Sequence, residues 1–322
     1  MVRVKFYRRP HSPPPGRLNS PPTSCILRPM DTRLPRRLDK FLADARVASR
    51  SRIEALWRGG HVTVNGDPEH LLYHLVDPLR DDIRIDQERL HLRPPEIYAL
   101  LHKPAGLLTA MRDPRPRQLI ASLLPDAWLA TVGPVGRLDR ATTGALILTD
   151  DGDLSYLLTH PDHHVWKRYL LTVRGHVADD DPRLAAMRQG VVLKGEPTLP
   201  ARCGVVPESH REHVRYGPMC ELWVEIREGR NRQVRKMASK TGFKLRHLHR
   251  ARVGPVSLGD LEVGHHRPLT PEEVDALYED AGGRALPAER ALAALLRRLE
   301  EGHLEPRGVQ LVERYLAEDA PT

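Results

Sequence analysis

The chain has 322 residues, 40% hydrophobic and 29% charged, which suits about two domains and lets most of its length fold. Its cysteines, Cys25, Cys203 and Cys220, are odd in number and lack metal-ligand spacing, arguing against a disulfide framework or a zinc site, and no apolar run approaches the roughly 18–20 residues that cross a bilayer. The net charge of +8 is unevenly placed: residues 1–30 hold six basic and no acidic residues, 31–66 hold eight against four, and 227–252 hold ten against one. The remainder is acidic, so positive charge collects where specific surfaces would face a polyanion.

Residues 1–32 form a basic, proline-rich segment expected to be disordered, since seven prolines and few large apolar residues cannot build a core. It reads as a dispensable extension, as the result of a start at Met30, or as an Arg-rich transit peptide. The density of proline argues against the amphipathic helix the last would need. Nothing else at the N-terminus looks like a secretory signal, and a reducing cytoplasmic setting is expected. From residue 33 the pattern changes. Leu38, Phe41 and Leu42 predict a helix, and Ile53, Leu56 and Trp57 a second one starting at Ser51, capped by Ser49 or Ser51. Gly60–Gly66 reads as a short strand closing on an Asn-Gly hairpin turn. Ile83 and Ile85 suggest another strand, and Arg93-Pro94-Pro95 a linker.

From Ile97 short strands are predicted at Ile97–Leu101, Gly144–Leu148, Tyr169–Val173 and Leu222–Ile226. Helices are predicted over Asp153–Leu158 and from about Asn231 to Lys240, the latter with Val234, Met237 and Ala238 inward. Strands and helices do not alternate as a doubly wound sheet requires. An α+β core on a mainly antiparallel mixed sheet with flanking helices is the expectation. A stripe of Leu292, Leu295, Leu296 and Leu299, with Val309, Val312 and Leu316 after it, predicts an acidic helical appendage over 281–322 that docks on the body or on a partner.

The stretch Gly136-Arg137-Leu138-Asp139-Arg140-Ala141-Thr142-Thr143-Gly144 is a polar loop bracketed by glycines that runs into an apolar strand. A rigid strand can hold a reactive carboxylate in such a loop. The stretch resembles the GRLD motif of pseudouridine synthases, in the group that modifies ribosomal RNA (the RsuA/RluB/RluE/RluF group). Leu101-His102-Lys103-Pro104-Ala105-Gly106 resembles that family's KPxG motif, with His102 where Asn is usual. Lys167-Arg168-Tyr169 resembles its KxY motif, and Glu228-Gly229-Arg230-Asn231-Arg232-Gln233-Val234-Arg235 its EGxxxQ motif. Arg37–Leu42, Ser49–Arg52 and Gly60–Gly66 resemble an S4 RNA-binding domain. The resemblance implies an S4 domain over 33–93 and a synthase domain over 97–280. It also implies Asp139 as nucleophile, Tyr169 against the target base and Arg235 as charge partner of Asp139. The family commonly carries a second acid where this chain has Ala141. The nucleophile is retained, so activity is expected.

The residue types suit that chemistry. Isomerising uridine breaks C1′–N1 and makes C1′–C5 without redox change, so neither cofactor nor metal is needed. An ionised carboxylate is needed, and a guanidinium within about 4–6 Å favours its charged form. A tyrosine offers a stacking face and a hydroxyl for proton transfer. Arg37, Lys40, Arg50 and Arg52 are expected to anchor distant RNA, and Lys103, Arg137, Lys167, Arg230, Arg232 and Lys236 to hold RNA near the site. The expected partner is ribosomal RNA or a pre-ribosomal particle, with the enzyme a monomer. Thr159–His164 leans toward the small-subunit (16S) enzymes over the 23S ones. Two rivals stand: a degenerate synthase that only binds RNA or assists ribosome assembly, and a metal-dependent phosphoryl-transfer enzyme using Asp150, Asp151 and Asp153. Those three acids read better as a turn and helix cap.

Overall fold

In the computed structural model the described residues are 35–47, 50–68, 72–92, 95–213, 217–283 and 286–318. The expected 1–32 extension, the Met30 start, the Ser49 cap, the Arg93-Pro94 part of the linker and the Arg50 side chain lie outside them.

Near the N-terminus, helix α1 (Leu38–Asp44) buries Leu38, Phe41 and Leu42, the i, i+3, i+4 stripe that makes a helix amphipathic. Helix α2 (Arg50–Arg58) already includes Ser51, which therefore does not cap it. Strand β1 (Val62–Val64) alternates buried and half-buried residues, and Asn65 and Gly66 then take positive φ, as a tight two-residue hairpin turn demands. The chain returns through Asp67–Pro68, while β2 (Ile83–Ile85) pairs antiparallel on the other side of β1. Leu38, Phe41, Ile53, Val62, Val64 and Ile83 share one small core.

The larger body is built on a sheet whose central path needs seven strands: β3 (Tyr98–Lys103), β4 (Thr143–Thr149), β5 (Lys167–Arg174), β6 (Arg202–Val205), β7 (Gly217–Ile226), β8 (Lys244–Val253) and β9 (His266–Pro268). Their spatial order is β6-β7-β5-β8-β4-β3-β9, and every neighbouring pair is antiparallel except β8 with β4. Both faces are covered, so β4 reads as a continuous apolar run: Leu146 and Leu148 enter one core, Ala145 and Ile147 the other. Helices α3 (Gly152–Thr159) and α6 (Pro271–Asp280) bury their apolar sides in the second core. Helices α4 (Pro182–Gln189) and α5 (Gln233–Lys240) bury theirs in the first. α5 starts two residues later than its pattern suggests, because Arg232 at its N-cap is left-handed with φ 53°.

Two expectations need correction or sharpening. The basic block 227–252 is not one RNA-facing surface: its second half is β8, a central strand, with Arg250 only 4% exposed. The C-terminal appendage is a pair of helices, α7 (Leu286–Glu300) and α8 (Pro306–Glu318), docked on the small N-terminal module. Leu311, Val312 and Tyr315 cover Leu75, and Arg307 and Arg314 pair with Asp81 and Asp77 at 2.8 and 2.5 Å.

Candidate active site

The two ends of β4 carry the acids. At its start, the Arg137–Thr142 loop hands Asp139 to the surface with its carboxylate 29% exposed. The loop is pinned from beneath by Lys103, whose side chain is fully buried. Its ammonium donates to the backbone carbonyls of Pro104 and Thr142 at 2.9 and 3.1 Å and approaches those of Asp139 and Arg140 at 3.4 and 3.5 Å. Burial pulls the Lys103 pKa down to about 8, against the opposing pull of Asp139. Lys103 is therefore an internal anchor of the loop and not an RNA contact, which corrects its assignment from sequence. The lysine of the motif is consumed by the carbonyls that a sharp loop leaves without partners.

Gly144 has an equally local reason. Here β4 runs parallel to β8, Gly144 faces Arg250, and φ is +113°. A Cβ at this position would lie 2.2 Å from the Arg250 carbonyl oxygen. Only glycine lets the two backbones come so close.

Two arginines from the start of α5 meet Asp139. Arg235 Nε lies 3.4 Å and Arg232 Nη1 3.3 Å from the same carboxylate oxygen, Oδ2. Arg235 is held by Thr142 Oγ1 at 2.9 Å and by the Ala141 carbonyl at 3.3 Å. Burial pushes the Arg235 pKa down while Asp139 pulls it up. The structure brings Arg235 and Asp139 together, and Arg232, expected from sequence to touch RNA, also faces the carboxylate. Glu228 and Gln233, whose individual roles were not legible, build the turn that aims both arginines. Glu228 Oε1 accepts from Gln233 Nε2 at 2.6 Å and from Leu199 N at 2.9 Å, while Gln233 Oε1 accepts from Arg230 N at 3.0 Å.

Tyr169 stands on β5, 8% exposed, in the same core as Leu138 and Leu146. Strand register lines up Gly144, Arg250 and Tyr169 across β4, β8 and β5, so Tyr169 lies about 10 Å from the base of the Asp139 loop at ordinary strand spacing. Its ring is buried while its hydroxyl has no hydrogen-bond partner among the described residues.

The remaining basic candidates divide. Arg37 and Arg52 are exposed, and Arg137 is exposed beside the site. Lys40 sits between Asp44 and Asp153, each at 2.9 Å. Arg230 is latched to Glu228 at 3.1 Å and to the Pro197 carbonyl at 2.6 Å, and Lys236 to the Asn231 carbonyl at 2.6 Å. Lys167 donates to the Val165 carbonyl at 2.9 Å, and burial first, then the Arg250 charge, pull its pKa down to about 8. At the far end of β4, Asp151 caps α3 through the amides of Asp153 and Leu154, both at 3.0 Å, and Asp150 pairs with Arg46. The turn-and-cap reading of these acids holds. Among the described residues no group of three or more potential ligands could hold a metal ion.

A family model described as RNA pseudouridylate synthase matches residues 97–240, and an S4 domain model matches 36–69. An uncharacterized RNA pseudouridine synthase of Mycobacterium tuberculosis is 36% identical over 258 residues, covering 79% of this chain and 98% of the relative. The ribosomal small subunit pseudouridine synthase A of Escherichia coli is 36% identical over 242 residues, 74% of this chain and 98% of that one. A chloroplastic Arabidopsis thaliana protein whose name assigns it to the large ribosomal subunit is 34% identical, over 76% of this chain and 60% of that one. A solved structure titled as a crystal structure of pseudouridylate synthase has 33% identity and a TM-score of 0.51, covering 75% of this chain and 99% of the other. With this likeness over most of its length, and with an S4 domain ahead of the synthase fold, the chain belongs to the RNA pseudouridine synthase family.

Proposed function

We propose that the chain converts a uridine of ribosomal RNA, 16S in preference to 23S, to pseudouridine with Asp139 as nucleophile. The observation that carries the reading is the Asp139 carboxylate, partly exposed at the rim of the sheet and faced by Arg232 and Arg235 at 3.3 and 3.4 Å. The two guanidiniums hold the carboxylate in place by charge and geometry, and an ionised, accessible carboxylate can attack the nucleotide. Tyr169 supplies the stacking face for a base drawn out of its own stack, and its unpartnered hydroxyl is available for the proton that leaves C5. In the net reaction the C1′–N1 bond breaks, the base turns, C5 bonds to C1′, and the C5 proton is replaced by one at N1.

The S4 domain, taken as residues 33–93, holds the RNA at a distance through Arg37, Arg50 and Arg52. Arg137, Arg230, Arg232 and Lys236 hold it around the synthase domain, residues 97–280, with 281–322 as the appendage. The substrate is ribosomal RNA or an assembling particle, and the enzyme acts as a cytoplasmic monomer. The 16S preference is supported by the Thr159–His164 stretch and by the E. coli small-subunit relative. Mapping pseudouridine in ribosomal RNA from cells with the gene, without it, and with an Asp139→Ala copy tests the whole reading. One 16S position should lose its pseudouridine in the last two strains. Retention of every pseudouridine in both would overturn it.

A further inference from the structure

Arg250 is a buried cation that the chemistry above leaves without a task. It is 4% exposed, and among the described residues it is the one arginine buried to that degree. Its Nε donates to the Ala145 carbonyl at 2.7 Å. Its two terminal nitrogens have no hydrogen-bond partner among the described residues, and no described carboxylate pairs with it. Neither nitrogen is among the sealed side-chain nitrogens that lack a hydrogen bond, so both keep contact with accessible space. The Tyr169 hydroxyl is in the same condition: unpartnered and not sealed.

Register places the two together. Arg250 pairs directly with Tyr169 on one side and with Gly144 on the other. Residues opposite one another on adjacent strands share a face, about 5 Å apart. Arg250 also stands two residues from Leu248, on the same face of the strand, and Leu248 enters the Tyr169 core. The guanidinium and the phenol therefore rise side by side on the face over which the Asp139 loop enters β4. A buried guanidinium without an acid is unfavourable in the free protein, and an electron-rich group entering beside it relieves that cost. Arg250 is too deep for the RNA backbone, which follows the surface, whereas a base stacked on Tyr169 brings its edge to this position.

We infer that Arg250 is a further substrate-contacting residue, whose terminal N–H groups donate to the carbonyl oxygens of the target uracil. This rests on the pseudouridine synthase reading above. When C1′–N1 breaks, the bonding electron pair stays with the base, and its charge spreads over N1, O2 and O4. A fixed guanidinium beside O2 or O4 stabilises that charge where it develops and exchanges no proton. Where they face O4, the same donors would meet the amino group of cytosine as donor against donor, so that contact also discriminates for uracil.

The test uses the full-length enzyme and an rRNA transcript whose target uridine is replaced by 2-thiouridine or 4-thiouridine, both weaker acceptors. Wild type should lose about 10-fold or more in single-turnover rate on one of them. Arg250→Met should lose about 100-fold in kcat on uridine with KM for RNA within about 3-fold, and should show no further loss on the thio substrate. Three results would overturn the inference: an unchanged kcat with raised KM, which marks a phosphate contact; an equal thio penalty in wild type and Arg250→Met; or full activity of Arg250→Met. Should Arg250→Met fail to fold, Arg250→Lys and the wild-type thio series decide, and a wild type indifferent to both thio substrates sinks the idea. Absence of pseudouridine from every rRNA exposed to wild type would instead bring down the underlying reading.

Discussion

Strand β4 carries a carboxylate loop at each end, and the two loops differ in how completely their acids are satisfied. At the far end Asp151 takes two amide hydrogen bonds and the hydroxyls of Tyr98 and Tyr278 at 2.7 and 2.5 Å, and is 4% exposed. Asp150 accepts from the amide of Ile97 at 3.1 Å and pairs with Arg46, and Asp153 holds Lys40. At the near end Asp139 has, among the described residues, only the two arginines, both on one oxygen, and its side chain is 29% exposed. A saturated carboxylate fixes structure, and an unsaturated one beside cations is free to react. The near loop obtains its precision indirectly: Lys103 holds its backbone and leaves the side chain uncommitted.

Exchanging acids for amides at the two ends should separate these roles. Asp139→Asn should lower kcat by about a thousand-fold or more while stability stays within about 1 kcal/mol, because the lost ion pairs are partly solvated. Single-turnover rates and thermal melts on the same preparation check it, and an active Asp139→Asn enzyme would remove the comparison's main contrast. Gly144→Ala should destabilise by about 2–5 kcal/mol, since its methyl group meets the backbone of β8 at positive φ. A Tm equal to wild type would show that the near parallel approach is not rigid. Asp151→Asn should cost about 2–4 kcal/mol through the lost cap and two weakened phenol hydrogen bonds, with kcat per folded molecule unchanged. A fall in kcat without a fall in Tm would mean that the far loop shares in the chemistry.

Lys103 makes the comparison depend on pH, with opposite signs for stability and activity. Its folded pKa of about 8 lies below its ordinary value of 10.5. Between those values the unfolded chain binds a proton that the folded one does not, so this group's contribution to stability rises with pH over that window. The loop meanwhile loses an ammonium donor. Wild type should thus show an alkaline limb in kcat near pH 8 while its stability relative to Lys103→Met increases. A limb that persists in Lys103→Met would assign it elsewhere, Lys167 being the other lysine drawn down to about 8.

How much of this was legible depended on whether a residue's partners lay near it in sequence. The small module was readable because its stripes and its Asn-Gly turn are local patterns, and the existence of β4 because it is one apolar run. Strand β8 was not: Lys244, Arg246, Arg250 and Arg252 on ten residues resemble a solvated face, and nothing local reveals that Arg250 is covered by the strands beside it. Lys103 failed for the same reason, since its four carbonyl partners include three that lie 36 to 39 positions away. The charge partner of Asp139 was legible only through resemblance, as 96 positions separate it from Arg235. A cation count can locate where positive charge is concentrated, but deciding which cations are spent internally requires the fold.

The smallest effect belongs to Lys40, and it tests the boundary between those two kinds of cation. Lys40 links the N-terminal module to the far end of β4, where its ammonium lies 2.9 Å from both Asp44 and Asp153. The side chain is still 36% exposed, and partly exposed pairs are worth about 0–1 kcal/mol. Lys40→Met should therefore change stability by no more than that. If the two acids occupy the ammonium fully, KM for RNA and its dependence on salt should stay as in wild type. Arg52→Gln, which removes an exposed guanidinium with no ion-pair partner among the described residues, should by contrast flatten the salt slope by about one unit. A flattened slope for Lys40→Met as well would show that an ion-paired lysine here exchanges its partners for phosphate, and that the far loop, too, meets the RNA.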